Sequence, residues 1–138
     1  MIITTREWLV LTRSVGKFWT EAEKMGKDYA IKYNRHLPNR VRPKIKCADG
    51  FEVSIQAGEG LYCKPYANLE DGMYETVELG YPNQAEIDIM DYAEDPDEPT
   101  GTVYAQVPVE VVDKIIVKHG GVVNVEEVNK YLRSEERG

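Results

Sequence analysis

The chain has 138 residues and a mass of 15.7 kDa, a size that suits a single domain around one core. Hydrophobic residues make up 42% and charged residues 30%, an ordinary balance that excludes the disordered and fibrous classes. No run of about 18 apolar residues is present, so no membrane span is predicted. We predict one domain over 1–138, with a helical hairpin at 1–36 and an α+β core at 40–138.

The formal net charge of −7 is unevenly distributed along the chain. Residues 1–50 hold 11 Lys and Arg against 5 Asp and Glu, whereas residues 51–138 hold 6 against 19. The two halves either offset each other in the fold, or present one face to anions and another to a basic partner. Because the net charge opposes attraction to phosphate and no reading-helix motif is present, direct binding to duplex DNA is not expected.

The N-terminal residues predict a cytoplasmic protein, because they lack the basic start, apolar block and small-residue cleavage site of a secretory signal. In a reducing compartment the two cysteines, Cys47 and Cys63, are expected as free thiols.

The first 36 residues predict a hairpin of two helices. A helix from about Thr5 to Val15 has Thr4 or Thr5 as its N-cap candidate and Gly16 as its stop. A second helix from about Lys17 to Asn34 carries an apolar stripe, because its apolar residues recur every three or four positions. That stripe consists of Phe18, Ala22, Met25, Tyr29 and Tyr33.

The first helix contains four successive apolar residues, from Trp8 to Leu11. Neighbouring residues on a helix are about 100° apart, so this block covers most of the circumference and cannot face one core. Either other parts of the same chain cover the remainder or a second copy does. We expect self-association through the hairpin, which would make the protein a homo-oligomer.

From residue 40 onward the apolar pattern changes to a period of two, which predicts strands. In the first strand, Pro43 restricts the position to a sheet edge or a bulge. Asp49-Gly50 is a hairpin turn signal, and the return strand runs through Phe51, Val53 and Ile55. Two more alternating segments, Met73 to Gly80 and Thr102 to Val107, complete a four-stranded, largely antiparallel sheet. The cations that alternate with apolar residues in the first strand are Arg40, Arg42, Lys44 and Lys46.

The last third of the chain predicts a long loop followed by two helices. The loop runs from Tyr81 to Gly101, and its length suggests a functional segment. Pro108 suits the first turn of a helix ending near His119, with Gly120-Gly121 as its C-cap. Asn124, with Glu127 three residues on, resembles the capping-box start of a final helix. The predicted class is therefore α+β: an N-terminal helical hairpin, about four largely antiparallel strands and two C-terminal helices.

The segment from Arg40 to Pro65 is the strongest candidate for a ligand site, because it concentrates cations, tight-turn glycines, a thiol and aromatic rings. The Gly58-Glu59-Gly60 turn matches neither phosphate-loop nor dinucleotide patterns. It is either a plain turn or a place where a ligand approaches the backbone. In the second case tyrosines would stack on a planar group and cations would contact phosphate. The candidate ligand-binding residues are Arg40, Arg42, Gln56, Glu59, Tyr62, Cys63, Lys64 and Tyr66.

The acidic run within residues 86–98 has three interpretations. Its spacing does not match a calcium loop and prolines interrupt it, so a metal site is disfavoured and none is predicted. A solvated loop and an electrostatic docking surface for a basic partner both remain open. The candidate partner-binding residues are Asp88, Asp91, Glu94, Asp95 and Asp97.

Nucleophilic catalysis would have to use Cys63 with His119 or His36. Sequence alone reveals neither their proximity nor a third orienting group, and the cysteine and histidine spacing matches no zinc pattern. We therefore predict no catalytic residues and no cofactor, and keep a small thiol-dependent enzyme as an alternative.

Several strings between about Val53 and Gly121 are distinctive in combination, and with them the chain resembles small uncharacterised proteins of phages and prophages. The resemblance implies a phage accessory protein in the bacterial host cell, a class rich in inhibitors of host defence, and it transfers no activity. The strings are Val53-Ser54-Ile55-Gln56-Ala57, Tyr62-Cys63-Lys64-Pro65, Tyr74 to Pro82, Tyr92-Ala93-Glu94-Asp95-Pro96, Val107-Pro108-Val109-Glu110 and His119-Gly120-Gly121.

The expected function is therefore a non-enzymatic counter-defence inhibitor that binds or sequesters a host immune component. That component would be either a small nucleotide signal or an effector protein of host defence. The alternative in the same biological setting is an acidic protein mimic of nucleic acid, which would block a DNA- or RNA-binding effector through residues 86–98.

Overall fold

The computed structural model describes residues 3–13 and 42–130. Within them four antiparallel strands form one sheet in the order β1-β2-β3-β4. The α+β class and the four-stranded antiparallel sheet are therefore confirmed. The elements in chain order are α1 (Thr5–Leu11), β1 (Ile45–Lys46), β2 (Glu52–Gln56), β3 (Thr76–Gly80), a 3-10 helix (Ile87–Tyr92), β4 (Val103–Pro108) and α2 (Val109–Lys118), and residues 125–130 are again helical.

The β1–β2 hairpin forms at the predicted Asp49-Gly50 turn. Gly50 adopts a φ of 97°, a left-handed conformation that favours glycine. The Asp49 carboxylate accepts the Phe51 backbone N–H at 3.0 Å, and the Cys47 N–H donates to the Phe51 carbonyl at 2.8 Å. Local hydrogen bonds of this kind explain why the turn could be read from sequence.

The first strand is shorter than the alternation of apolar residues predicts. β1 covers only Ile45–Lys46, and it lies at the edge of the sheet. Pro43 has no N–H to give to a strand ladder, and the Arg42 N–H donates to the Gln56 side chain instead. Arg40 and the predicted helix from Lys17 to Asn34 lie outside the described residues.

Helix α1 begins at the predicted residue and ends before the predicted one. Thr4 is its N-cap: its hydroxyl accepts the Glu7 N–H at 3.2 Å, while the Glu7 carboxylate accepts the Thr4 N–H at 3.0 Å. This reciprocal capping box satisfies two N–H groups that a helix start leaves without partners. The helix ends at Leu11 rather than Val15, with Thr12 as its C-cap and the Thr12 hydroxyl donating to the Trp8 carbonyl at 2.8 Å.

The chain's own core covers the apolar block of α1. Trp8 and Leu9 are buried in the core, and Leu11 packs against it. Thr5 ties the helix start to α2, because both its N–H and its hydroxyl donate to the Asp113 carboxylate, at 2.7 and 2.6 Å. The apolar surface that motivated self-association is thus largely satisfied within one chain, and the homo-oligomer stays a prediction.

The core is formed by the sheet, helices α1 and α2, and Val128 of the final helical segment. Buried side chains alternate along β3, with Val77 and Leu79 inward. Helix α2 buries Val109 and three further side chains at the spacing of one helical face, and full burial of each such side chain stabilises the fold by about 1.5–3 kcal/mol. These are the predicted Val112, Ile115 and Ile116.

The segment from Tyr81 to Gly101 is structured, although the sequence predicts only a loop. The 3-10 helix follows Glu86, whose side chain accepts the Asp88 N–H at 2.9 Å. Ala93 then forms a β-bridge with Tyr104, and the Glu94 N–H donates to the Val103 carbonyl at 3.0 Å. The acidic segment, defined as residues 86–98, is therefore attached to the sheet.

The predicted end of α2 is confirmed, since the helix stops at Lys118 and both Gly120 and Gly121 have positive φ values, 90° and 87°. Asn124 has a different contact from the predicted capping box. Its side chain accepts the Lys46 N–H at 3.0 Å and donates to the Lys44 carbonyl at 2.9 Å, which ties the final helical segment to β1. In the two described ranges no helix has the length and apolarity needed to cross a membrane.

Candidate functional site

The loop between β2 and β3 is held in a defined shape by its own backbone. Gly58 has a φ of 146°, and a Cβ atom there would lie 2.6 Å from the Asn68 side-chain oxygen. That oxygen accepts the Glu59 N–H at 2.9 Å, so the close approach of glycine and asparagine closes the turn. The loop returns to the sheet through Lys64, whose N–H donates to the Thr76 carbonyl at 3.2 Å.

Three of the predicted ligand-binding residues lie inside the protein. Arg42 and Gln56 form a reciprocal pair: the Arg42 N–H donates to the Gln56 side-chain oxygen at 2.9 Å, and the Gln56 amide donates to the Arg42 carbonyl at 3.0 Å. The Arg42 guanidinium donates to the Ala57 carbonyl at 2.6 Å. This guanidinium therefore bonds to the chain's own backbone at the start of the loop.

Cys63 is the third buried candidate. Its sulfur lies 3.3 Å from the Gly58 nitrogen and 3.4 Å from each of the Gly58 and Pro65 carbonyl oxygens. Burial raises the pKa of the Cys63 thiol. A buried, protonated thiol is a poor nucleophile, because the thiolate is the reactive form.

The Cys63–His119 pair considered from sequence is not assembled in the described structure. Both ring nitrogens of His119 lie within hydrogen-bond distance of carboxylates, those of Asp49 and Glu86. The thiol of Cys63 contacts backbone atoms of the β2–β3 loop instead. His36 lies outside the described residues.

The other candidates of this loop are exposed. Tyr62 and Tyr66 are 49% and 67% exposed, and Met73, which the sequence did not single out, is 54% exposed. Glu59 is exposed, and Lys64 forms a solvent-exposed ion pair with Glu75 at 3.4 Å. Exposed side chains of this size on one loop provide apolar contact area that is accessible to a partner. Tyr62, Tyr66 and Met73 are called the loop surface below.

The backbone of Tyr62 is fixed by two strands. Its N–H donates to the Glu78 carboxylate of β3 at 3.1 Å, and its carbonyl accepts the Gln106 N–H of β4 at 3.1 Å. Gln106 has a φ of 54°, rare for a residue other than glycine, and its side-chain oxygen accepts the Thr76 hydroxyl at 2.5 Å. Sequence reasoning missed Glu78 and Gln106, because they act on the loop only after the strands are paired.

The surroundings of the loop surface are acidic. Burial raises the pKa of the Glu78 carboxyl and the nearby charge of Glu94 raises it further, although the hydrogen bond from the Tyr62 N–H opposes them. From Glu59 to Glu78, both included, the sequence holds five acidic residues and one lysine. Glu94 belongs to the acidic segment and, like Tyr62, is bonded to the backbone of β4, so the acidic segment and the loop surface are attached to the same strand.

The acidic segment presents most of its carboxylates to solvent. Asp88 is partly neutralised by Lys118, whose ammonium lies 3.2 Å away. Asp95 is held in place, since its N–H donates to the Thr102 hydroxyl at 3.0 Å and its carboxylate accepts the Asp97 N–H at 3.1 Å. In residues 3–13 and 42–130 no group of three or more histidine, cysteine or acidic side chains is arranged to hold a metal ion. The exposed acidic residues are Asp88, Asp91, Glu94, Asp95, Asp97 and Glu98.

Comparison with protein-family models, with curated proteins and with solved structures finds no match to this chain.

Proposed function

We propose that this protein is a non-enzymatic inhibitor that binds a basic surface of another protein. The observation that carries the proposal is the attachment of both the loop surface and the acidic segment to β4: the Tyr62 carbonyl accepts the Gln106 N–H at 3.1 Å, and the Glu94 N–H donates to the Val103 carbonyl at 3.0 Å. Tyrosine and methionine are enriched at protein interfaces, and a rigidly held aromatic ring is a frequent energetic centre of binding. Carboxylates around such a centre favour a basic partner and speed its association.

The charges of the described residues support a protein partner over a small nucleotide. A phosphate ligand needs cations free to donate hydrogen bonds to it. Arg42 already donates to the Ala57 carbonyl inside the protein, and Lys64 is paired with Glu75. The net negative charge around Tyr62 would repel a nucleotide, whereas it would attract lysine and arginine side chains.

The proposed biological role is the one that the resemblance to phage proteins suggests. In the host cytoplasm, the protein would bind a defence effector and cover a basic groove that otherwise binds nucleic acid. The loop surface would supply apolar contact area, and the acidic segment would occupy the positions of phosphates. This combines the expected inhibitor and the expected nucleic-acid mimic in one surface.

The experiment uses a matched pair of tyrosine variants. Tyr81 is 50% exposed and lies outside the loop surface, so Tyr81→Ala removes an equally exposed ring and serves as the control for Tyr62→Ala. Calorimetry against a basic effector recovered from host cells should show a loss of affinity of about tenfold or more for Tyr62→Ala, the effect of a central interface aromatic. The control should bind within about twofold of wild type, because surface substitutions outside an interface usually have small effects.

A second measurement tests the acidic segment. Binding should weaken as salt is raised, because exposed charges are screened over about 8–10 Å at physiological ionic strength. Changing Asp91, Glu94 and Asp95 to their amides should weaken binding and flatten the salt dependence, with Glu110→Gln on α2 as an exposed control. Tight binding of a purified nucleotide, or equal loss of affinity for Tyr62→Ala and Tyr81→Ala, would contradict the proposal.

A further inference from the structure

His119 sits at the junction of three elements. It follows α2 directly and is 8% exposed. Its Nδ1 lies 2.6 Å from a carboxylate oxygen of Asp49 in the β1–β2 turn, and its Nε2 lies 2.7 Å from a carboxylate oxygen of Glu86 before the 3-10 helix. The ring stacks on Phe51 with centroids 4.1 Å apart and an angle of 11° between the planes. Asp49, His119 and Glu86 are called the clamp below.

The clamp geometry requires a protonated imidazole. A neutral imidazole has one N–H donor, whereas two ionised carboxylates at these distances need two. Burial by itself lowers the pKa of His119, but the hydrogen bonds to Glu86 and Asp49, together with their charges, outweigh it and raise the pKa. The clamp therefore holds when His119 is charged, and one carboxylate loses its donor when the proton leaves.

One neighbouring cation keeps its contacts when the His119 proton leaves. The Lys118 ammonium lies 3.0 Å from Glu86 and 3.2 Å from Asp88. These hydrogen bonds raise the pKa of Lys118, so it stays charged while His119 titrates. Cys47 next to the turn remains a neutral thiol, because burial raises its pKa to about 11. Loss of the His119 proton thus leaves Glu86 and Asp88 in contact with the Lys118 ammonium, whereas Asp49 no longer faces a charged imidazole.

The acidic segment depends on the same carboxylate. Glu86 is the N-cap of the 3-10 helix: its side chain accepts the Asp88 N–H at 2.9 Å, and its carbonyl accepts the Ile89 N–H at 3.2 Å. Ile89 is buried in the core. When the proton leaves, the ring keeps one N–H, so its bond to Glu86 is either lost or reduced to a weaker bond from a neutral donor, and the hold on this buried carboxylate weakens.

We propose that the clamp is a proton-operated device that fixes the acidic segment when His119 is protonated and loosens it when His119 is neutral. One consequence of this proposal rests on the proposed function: binding of the partner weakens as the clamp loosens. The sign follows from linkage. Because the folded pKa of His119 is raised above the ordinary histidine value of 6.5, its stabilisation is complete below that value and is lost as pH rises through the folded pKa.

The carboxylates of Asp49 and Glu86 set the lower limit of the pH range in which the clamp is stable. Hydrogen bonds from the Phe51 N–H and His119 lower the pKa of Asp49. Burial alone would raise the pKa of Glu86, but the bonds from the Asp88 N–H, His119 and Lys118 outweigh it and lower the pKa. Their contribution is lost as pH falls through these lowered values. The clamp is therefore strongest between the acid titration of its carboxylates and the alkaline titration of its imidazole.

The test is an NMR titration of the isolated protein. His36→Gln leaves His119 as the only histidine signal, and its measured pKa should exceed that of an unperturbed histidine, about 6.5. Hydrogen exchange of the Asp88 and Ile89 amides, corrected for intrinsic rates, should lose protection as pH rises from about 6.5 to the folded pKa of His119, by up to about tenfold for each pH unit in that range, and should level off above it. Exchange of Val77 in β3 serves as the control and should change little.

Two variants keep the test decisive if His119 substitutions do not fold. Asp49→Asn and Glu86→Gln each remove one carboxylate charge, and each should lower the measured pKa of His119. The proposal would be contradicted by a His119 pKa at or below that of a free histidine. It would also be contradicted if the hydrogen exchange of the Asp88 and Ile89 amides did not change across the titration. If these measurements succeed but partner affinity follows salt and not pH, the link to binding is overturned while the proposed function stands.

Discussion

The contact between α1 and the turn before β3 can be tested by one added methyl group. Gly72 has a φ of 68°, and a Cβ atom there would lie 2.8 Å from the Arg6 carbonyl oxygen and 2.9 Å from a methyl carbon of Val10. Both atoms belong to α1, and the first is backbone. Gly72→Ala therefore forces α1 away from the turn or distorts the turn.

The expected destabilisation combines backbone strain with crowding. Alanine in a left-handed conformation costs about 1–2 kcal/mol, of which about 0.4–1 kcal/mol is offset because alanine restricts the unfolded chain. Gly60 provides the control, since it has a φ of 82° but no atom within 4 Å of an added Cβ. Gly60→Ala should cost about 1 kcal/mol in total, whereas overpacking at Gly72 adds about 1–3 kcal/mol and brings Gly72→Ala to about 2–4 kcal/mol.

Urea unfolding followed by tryptophan fluorescence measures this difference, because Trp8 in α1 is buried. The unfolding free energy of Gly72→Ala should fall below that of Gly60→Ala by about 1–3 kcal/mol, a large part of a typical total of 5–15 kcal/mol. Adding Val10→Ala should recover part of the loss by removing the crowded methyl group. Equal unfolding free energies for the two glycine variants would refute the packing of α1 on this turn.

Three further outcomes test other contacts. Thr4→Ala should lower the unfolding free energy by about 1 kcal/mol through loss of the capping box, and an unchanged value in urea unfolding would contradict that cap. Asn124→Ala should cost about 1–3 kcal/mol, because it leaves two backbone groups of β1 without partners, and Asn124→Asp should fall between this variant and wild type because it keeps the acceptor. Cys47 and Cys63 should react with a thiol reagent much more slowly in the folded protein than in urea, and rapid labelling of the native chain at neutral pH would contradict their burial.

Features set by local chemistry could be predicted from sequence. The Asp49-Gly50 turn, the Thr4 cap and the glycines after α2 each depend on residues within a few positions of one another. The spacing of the apolar residues in α2 likewise indicates which face of the helix is buried. Local hydrogen bonds and periodicity are visible before any tertiary contact is known.

At Arg42 the alternating pattern of a strand gives the wrong prediction of side-chain exposure. Alternation places it with Lys44 on a basic, solvent-facing side, and Lys44 is indeed exposed. Pro43 interrupts the strand between them, and the amide of Gln56 pairs with both backbone groups of Arg42. That pairing joins positions 14 residues apart in sequence, so no local pattern reports it.

Only the exposed residues of the candidate site could be predicted from the sequence. Tyr62 and Tyr66 are exposed, as a ligand-contacting loop requires. Glu78 and Gln106 hold Tyr62 through pairings that depend on sheet register, including a register shift between β3 and β4. The sequence does not distinguish Glu86 from the other acidic residues of the loop, because its buried contact with His119 joins positions 33 residues apart.

The coverage of the sheet edges restricts how a partner can bind. The outer edge of β1 is occupied at Lys46 by Val123 and Asn124, and the outer edge of β4 is occupied at Val103 and Tyr104 by residues 93–94. Open strand edges are templates for pairing with another chain, both in aggregation and in recognition by strand addition. Because these positions are already bonded within the chain, the proposed partner is expected to recognise side chains rather than extend the sheet at these edges.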